Sequence, residues 1–443
     1  MKGVRLSDHF TYKKLLKAVL SPILMMVFTS IYGIVDGLFI SNVEGDTAFS
    51  AVNLIIPVTM AIGAIGFMFG AGGSALVSKT LGEGDKDKAQ SIFTAIVIIN
   101  AAVGFAISVL TFIFVEQIVT LLGATPEMKD YAVKYGRIIL IGEIAFMTQN
   151  LFQNFFIVAE RPHLGFIVTV GAGVTNMVLD TVMVAVLRWG VEGAAIATII
   201  SQVVGSIAPI IYFAKKNTSL LQFRKPMFRF DYIFKTITNG FSEFLSNVSA
   251  SFVSMVYNKQ LMSYKGQDGV TAYGIIMYAS FIFAAVFIGY AIGTAPIIGY
   301  NFGAKNHDEL KNVFKKSMIL NFGTGIIMTT LSVVFARLLC SIFVGYNPAL
   351  LDFSAQAMRI FSIGFIFMGL NIFTSSFFTA LNNGLISAIV SAFRTLVCQL
   401  VMVFTLPLIW GVDGIWISIV AAEALALCLD IVFLITNRKK YHY

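Results

Sequence analysis

The sequence predicts an all-α polytopic membrane protein, with twelve transmembrane helices in two pseudo-symmetric six-helix lobes. Three observations carry that prediction. Of the 443 residues, 57% are hydrophobic and only 12% are charged, too apolar a mixture for a soluble protein of this size to cover with polar surface. Twelve apolar stretches each approach or exceed the roughly 20 residues a helix needs to cross about 30 Å of hydrocarbon. The chain also repeats itself at a constant offset of 221 residues.

The spans fall at about 15–40, 51–78, 91–115, 131–158, 164–187, 190–214, 237–262, 270–298, 317–344, 354–380, 385–408 and 412–435, and backbone satisfaction in lipid makes each a helix. The first follows a basic leader and has no small-residue cleavage site, so it is expected to stay as a helix and not be removed as a signal peptide. Phe (41) and Met (18) suit lipid-facing surfaces. Cys340, Cys398 and Cys428 lie in apolar runs and are expected to pack, not to form disulfides or bind metal.

Basic residues set the orientation. The N-terminal leader, Arg161, the tail and the loops after spans 2, 6 and 8 hold 22 of the 31 Lys and Arg. By the positive-inside rule that side is cytoplasmic, with both termini in. The net charge of +8 is then a topology signal, and its even spread over alternate loops argues against a nucleic-acid patch.

The repeat is visible residue by residue. Gly45, Ala51, Gly72 and Gly82 match Gly266, Ala272, Gly293 and Gly303, and WGVEG (189–193) matches WGVDG (410–414). An even number of spans per half makes the repeats parallel, the layout of a transporter whose two lobes rock about a central site. The expected division is an N-lobe at 1–214, a cytoplasmic linker at 215–236 and a C-lobe at 237–443. The GxxxG pairs Gly66/Gly70 and Gly289/Gly293 allow close helix packing.

Ionisable residues at membrane depth cost a few kcal/mol, so their default reading is functional. Asp36 lies roughly 6 Å below the outer end of span 1, Asp180 roughly 10 Å below that of span 5, and Thr198 roughly 12 Å below that of span 6. Asn176 sits one turn below Asp180 on the same face. Carboxylate, amide and hydroxyl oxygens are hard ligands for a hard cation such as Na+. Two close carboxylates would also repel and hold a proton. A structural hydrogen-bond network is the alternative. Glu116, Lys259 and Asp430 lie near predicted span ends and are read as reaching water there.

The second half does not repeat the cluster, because Asp36 corresponds to Tyr257 and Asp180 to Val401. Arg394 and Glu423, roughly 15 and 18 Å from the cytoplasmic side, are candidates for a neutralising pair. Glu243 is a second possible partner for Arg394, or a contact for a cationic substrate. Gln149, Asn150, Gln153 and Asn154 form one polar stripe on span 4, suited equally to lining a cleft or to bonding between helices. Glu143 lies deep in the same span with no evident partner.

These features together resemble the multidrug and toxic compound extrusion (MATE) family over essentially the whole chain. The resemblance rests on SPILMMVFTSIYGIVDGLFI in span 1, GAGGSALVSKTLGEGD after span 2, and NMVLD with WGVEGAAIAT in spans 5 and 6. APIIGYNFGA after span 8 and LPLIWGVDGIW before span 12 complete it. An Asp in span 1 with N-x-x-x-D in span 5 is similar to the prokaryotic DinF-like branch. The resemblance implies antiport of organic, often cationic, compounds against Na+ or H+. It also implies a cation site at Asp36, Asn176, Asp180 and Thr198. Glu243 lies nearer the cytoplasmic end than the acid carried by the NorM-like branch.

The expectation is therefore a multidrug efflux antiporter of a prokaryotic plasma membrane, monomeric, without cofactor, its partners being the bilayer and small cationic or amphipathic compounds. A P-loop is absent, because GGSALVSKT lacks the glycine before Lys79, and HExxH and GxSxG are absent too, so neither ATP use nor hydrolysis is indicated. Two alternatives remain. A flippase for a lipid-linked saccharide would need a basic cleft, for which only Arg394 and Arg137 qualify. A non-transporting scaffold or sensor would tolerate loss of Asp36 and Asp180.

Overall fold

The computed structural model describes residues 4–32 and 51–443, and the helical backbone of 33–44 and 46–50. Every regular element among the described residues is helical. The first half contains α1 (Tyr12–Glu44), α2 (Asp46–Gly82), α3 (Lys86–Ile113), α4 (Val115–Leu121), α5 (Pro126–Ile141), α6 (Glu143–Val158), α7 (Pro162–Asp180) and α8 (Gly190–Ala214). The second contains α9 (Phe230–Lys265), α10 (Gln267–Gly303), α11 (His307–Val334), α12 (Ala336–Val344), α13 (Pro348–Ser362), α14 (Phe365–Ala380), α15 (Gly384–Ala392), α16 (Gln399–Thr405) and α17 (Pro407–Tyr441). Two π-helical segments, Thr181–Val186 and Phe393–Cys398, follow α7 and α15.

Joined across their short breaks, these helices make twelve rods. Among the described residues nine are long and apolar enough to cross a membrane, or ten if α13 and α14, bent by 46°, form one span. The two remaining rods are the polar ones. One is α5–α6, with the charged start of α5 and the amide stripe of α6, and the other is α9, with Lys235, Glu243, Asn247 and Lys259.

The repeat extends to backbone detail. α2 and α10 are both 37 residues long and begin and end 221 residues apart, as do the 28-residue α3 and α11. The turn before α3 passes through Gly84 (φ 88°) to Asp85, whose carboxylate caps the Lys88 N–H. The equivalent turn passes through Lys305 (φ 54°) to Asn306, which caps the Glu309 N–H. A short polar side chain in this place satisfies a donor the helix leaves open. The rods break at equivalent phenylalanines, Phe114 and Phe335. Gly190 and Gly411 both adopt positive φ, 65° and 58°, where a Cβ would be strained.

Each lobe has its own core. In the N-lobe, Phe93, Phe152, Phe155, Phe213 and Phe223 form a ring cluster with neighbouring centroids 4.7–6.4 Å apart. In the C-lobe, Trp416, Tyr257, Tyr273, Phe287 and Phe365 fill the centre. The coil at 215–229 is tied to the N-lobe. Phe223 stacks on Phe93, the Arg224 N–H donates to Thr94 Oγ1 at 3.0 Å, and Gln90 Nε2 donates to the Leu220 carbonyl at 3.0 Å. α9 begins at Phe230, ahead of the predicted span.

The lobes meet along α2 with α9 and α10, and along α1 with α10. A Cβ on Gly82 would collide with the Tyr300 carbonyl, and one on its equivalent Gly303 with the Lys79 carbonyl. Asn382 bridges the lobes, donating to the Ala75 carbonyl at 3.1 Å and accepting from Asn239 Nδ2 at 2.7 Å. Both described terminal segments sit at this end. Leu6 N–H donates to Glu160, Phe10 N–H donates to Glu309, and Tyr441 Oη accepts from Asn383. The basic loops collect here as well, with Lys79 over the Phe302 ring and Lys88 over the Tyr232 ring.

Candidate functional site

In the N-lobe, Asn176 and Asp180 occupy successive turns at the end of α7, and Thr198 faces them from α8. Asn176 Nδ2 donates to Thr198 Oγ1 at 3.5 Å. Asp180 is 0% exposed and Asn176 1%, in a segment whose other faces are valine and methionine. Asn176 Oδ1 is buried with no hydrogen-bond partner among the described residues, a place where a buried acceptor would ordinarily be met. Asp36, the fourth predicted member, lies outside the described residues, although α1 packs along α7.

Asp180 is the last residue before the first π-helical segment. π-turns insert an extra residue per turn and recur at functional sites, because they re-aim side chains and loosen the backbone ladder. The second segment carries Arg394, so each lobe has one of its intramembrane charges beside or within such a turn. The two segments do not stand at equivalent positions in the repeat.

The polar stripe of α6 is buried in full. Gln149 lies against Gly205 of α8, within the N-lobe, whereas Asn154 reaches the space between the lobes. There it lines a cavity of about 40 Å³ with Ser74 of α2, Glu243 of α9, and Ser376 and Thr379 of α14. The stripe is thus divided: Asn154 meets Glu243 at a shared cavity, and Gln149 does not line it. Asn154 Nδ2 also donates to the Asn150 carbonyl. Gln149 Oε1, Asn150 Nδ2 and Gln153 Oε1 lack partners among the described residues, as does Glu143 Oε2 at the start of α6.

In the C-lobe, Arg394 Nε donates to both Glu423 oxygens at 3.0 Å, with side-chain exposures of 15% and 3%. Asn371 of α14 donates to Glu423 Oε2 at 2.6 Å. Glu243 and Asp430 both lie near enough to feel the Arg394 charge. Tyr257, the counterpart of Asp36, donates to Gln399 Oε1 at 2.8 Å.

The structure corrects the reading of Asp430 as a water-reaching residue at a span end, because it is only 1% exposed. α17 runs on to Tyr441, beyond the predicted end, and carries Asp430 inward. Glu116 is exposed and pairs with Arg137 at 2.6 Å, which takes Arg137 out of the candidate cleft, and Lys259 is exposed. Sequence reasoning missed Asn371, a neutral amide in an apolar run. It also missed Asn382, for which the left-handed turn of ALNNG was the available signal.

Residues 22–182 and 243–405 each match the family model described as MatE. The chain belongs to the MatE family. The two matches begin 221 residues apart, the offset of the repeat. Curated relatives include the multidrug export protein MepA of Staphylococcus haemolyticus, 25% identical over 449 residues, covering 97% of this chain and 96% of the relative. MepA of Staphylococcus saprophyticus is 26% identical, covering 97% and 93%. Among solved structures, a MATE protein in complex with MaL6 superposes with a TM-score of 0.94 at 22% identity, covering 100% and 99% of the two chains. An outward-facing MATE family transporter of the MOP superfamily superposes at 0.93, also at 22%. This MATE protein is therefore a multi-pass membrane protein of a multidrug efflux transporter family, with the fold of those structures.

Proposed function

We propose that this protein is a secondary active antiporter that exports organic, cationic or amphipathic compounds in exchange for Na+ or H+. It acts as a monomer in a prokaryotic plasma membrane, with the basic end and both termini in the cytoplasm, and does no covalent chemistry on its cargo. The observation that carries this reading is the buried oxygen set of α7 and α8, with Asn176 Oδ1 unpaired among the described residues beside the buried Asp180. Asp180, Asn176 and Thr198 would hold the coupling ion, joined by Asp36 of α1. The cleft-floor cavity with Glu243, Asn154 and Ser376 offers a carboxylate and neutral acceptors to a cationic substrate.

The cycle follows from differential binding. The lobes meet at the basic end, which closes the cleft from the cytoplasmic side when that end is cytoplasmic. A cation bound at Asp180 neutralises the N-lobe carboxylate and favours one packing of α1 against α7. It drives the cycle only by binding one lobe arrangement more tightly than the other. A flippase for a lipid-linked diphosphate is less well supported, since Arg394 is engaged by Glu423 and Arg137 by Glu116, outside the cavity.

The test is efflux of a fluorescent lipophilic cation by everted vesicles, driven by an imposed proton or sodium gradient. Transport that follows one gradient and is lost in Asp180→Asn, at unchanged protein level, is the expected result and names the ion. Transport surviving Asp180→Asn would make Asp180 structural. Absence of transport by wild type under both gradients would overturn the antiporter reading for this class of cargo.

A further inference from the structure

A second cavity, of about 460 Å³, lies at the basic end beside the lobe seam. Arg5, Lys17, Arg161 and His163 line it together with apolar Phe10, Ile157 and Ile297. One wall comes from the N-lobe, through α1 and the α6–α7 turn. Gly293 and Ile297 of α10 supply the other. None of the described candidate ion or substrate residues lines it.

The charge balance is positive. Among the described residues of the wall the one carboxylate is Glu160, which is engaged by the Leu6 N–H at 2.7 Å and pins the N-terminal strap. Burial pushes its carboxyl above the usual range, which weakens it further as a competitor for Arg5, Lys17 and Arg161. Arg161 is held in place by Thr218, to whose Oγ1 its Nη2 donates at 2.8 Å, and keeps other donors of its guanidinium for a ligand. α7 starts at Pro162, so the positive end of its dipole opens on the same wall. The volume is that of a small-molecule site, and a basic pocket between helices is the chemistry that takes an acidic headgroup.

We propose that this cavity binds the phosphate of an anionic phospholipid headgroup. A free phosphate would meet the same cations, but the apolar Phe10, Ile157 and Ile297 suit the glycerol and first acyl carbons of a lipid. Because both lobes contribute walls, the bound headgroup favours the arrangement in which they meet at the basic end. The proposal does not rest on which compound or ion is transported.

The experiment uses the full-length protein in neutral detergent, titrated with phosphatidylglycerol, phosphatidylcholine or inorganic phosphate, with bound ligand counted by native mass spectrometry. Lys17→Ala/Arg161→Ala is compared with Lys215→Ala/Lys216→Ala, which removes the same charge from a neighbouring segment. Phosphatidylglycerol should bind wild type and the control pair alike. Its affinity should fall roughly tenfold or more in Lys17→Ala/Arg161→Ala, from about 1 kcal/mol per cation. Arg161→Lys should retain most of the binding, which separates lost charge from misfolding. Equal loss in both double variants, or equal binding of phosphatidylcholine, overturns the proposal. Displacement of the lipid by inorganic phosphate would overturn the lipid as occupant while leaving an anion site in place.

Discussion

Arg394 and Glu423 are the clearest case of a residue pair that exists only because both members are present. Each would be costly alone at this depth. Together they share two 3.0 Å contacts, and Asn371 takes up the remaining acceptor capacity of Glu423. Removing one partner leaves an uncompensated buried charge and costs about 3–5 kcal/mol, whereas replacing both with apolar residues of similar size costs far less. Arg394→Met and Glu423→Leu should therefore each lower thermal stability sharply. The double variant should be more stable than Arg394→Met alone. Additive losses in denaturation of the purified variants would mean that the two charges are not energetically coupled. The same residues explain what sequence reasoning could reach. A lone Arg and a lone Glu in apolar runs announce themselves by their cost, and depth estimates put them near each other. Asn371 carries no charge and gives no such signal. Asp430 was misplaced because the predicted helix end fell short of Tyr441, and the missing residues were enough to move it from the edge to the interior.

At the scale of elements, the repeat governs what was legible. Spans of roughly 20 apolar residues, a fixed offset and paired glycines are properties of the sequence alone. The matching breaks at Phe114 and Phe335 and the matching caps at Asp85 and Asn306 follow from equivalent local sequence in equivalent packing. The π-helical segments were not legible, since no residue type encodes them and they do not follow the repeat. They arise where a helix must present a polar side chain to its neighbours in a register that regular α-geometry does not provide. The caps lend themselves to a direct test. Asp85→Ala and Asn306→Ala should each cost about 1 kcal/mol, because each removes the acceptor for one otherwise open helix N–H. Asn306→Asp, which keeps that acceptor, should stay near wild type in thermal unfolding. A loss as large in Asn306→Asp as in Asn306→Ala would show that the cap is not what the side chain contributes.

The whole molecule is two similar lobes that meet along α1, α2, α9 and α10, and the manner of meeting decides how they can part. The seam is made by close backbone approach at glycine, reciprocally at Gly82 and Gly303, with Asn382 hydrogen-bonded to both sides. Such an interface has little side chain to deform, so it is either closed or open. An added methyl group at Gly303 would meet the Lys79 carbonyl of the other lobe, and main chain cannot rotate out of the way. Gly303→Ala should therefore shift the lobes towards separation at the basic end without disturbing either lobe's core. Ser78, fully buried in the seam against Gly299, is a suitable reporter site. In a Ser78→Cys background lacking the exposed Cys428, a water-soluble maleimide should label slowly when the seam is shut. Adding Gly303→Ala should raise that rate severalfold. Adding Gly323→Ala, where a Cβ meets nothing within 4 Å, should leave it unchanged. Equal rates in the two variants would mean that the seam tolerates the methyl group in its closed form. The barrier between lobe arrangements would then lie elsewhere along α1, α2, α9 and α10.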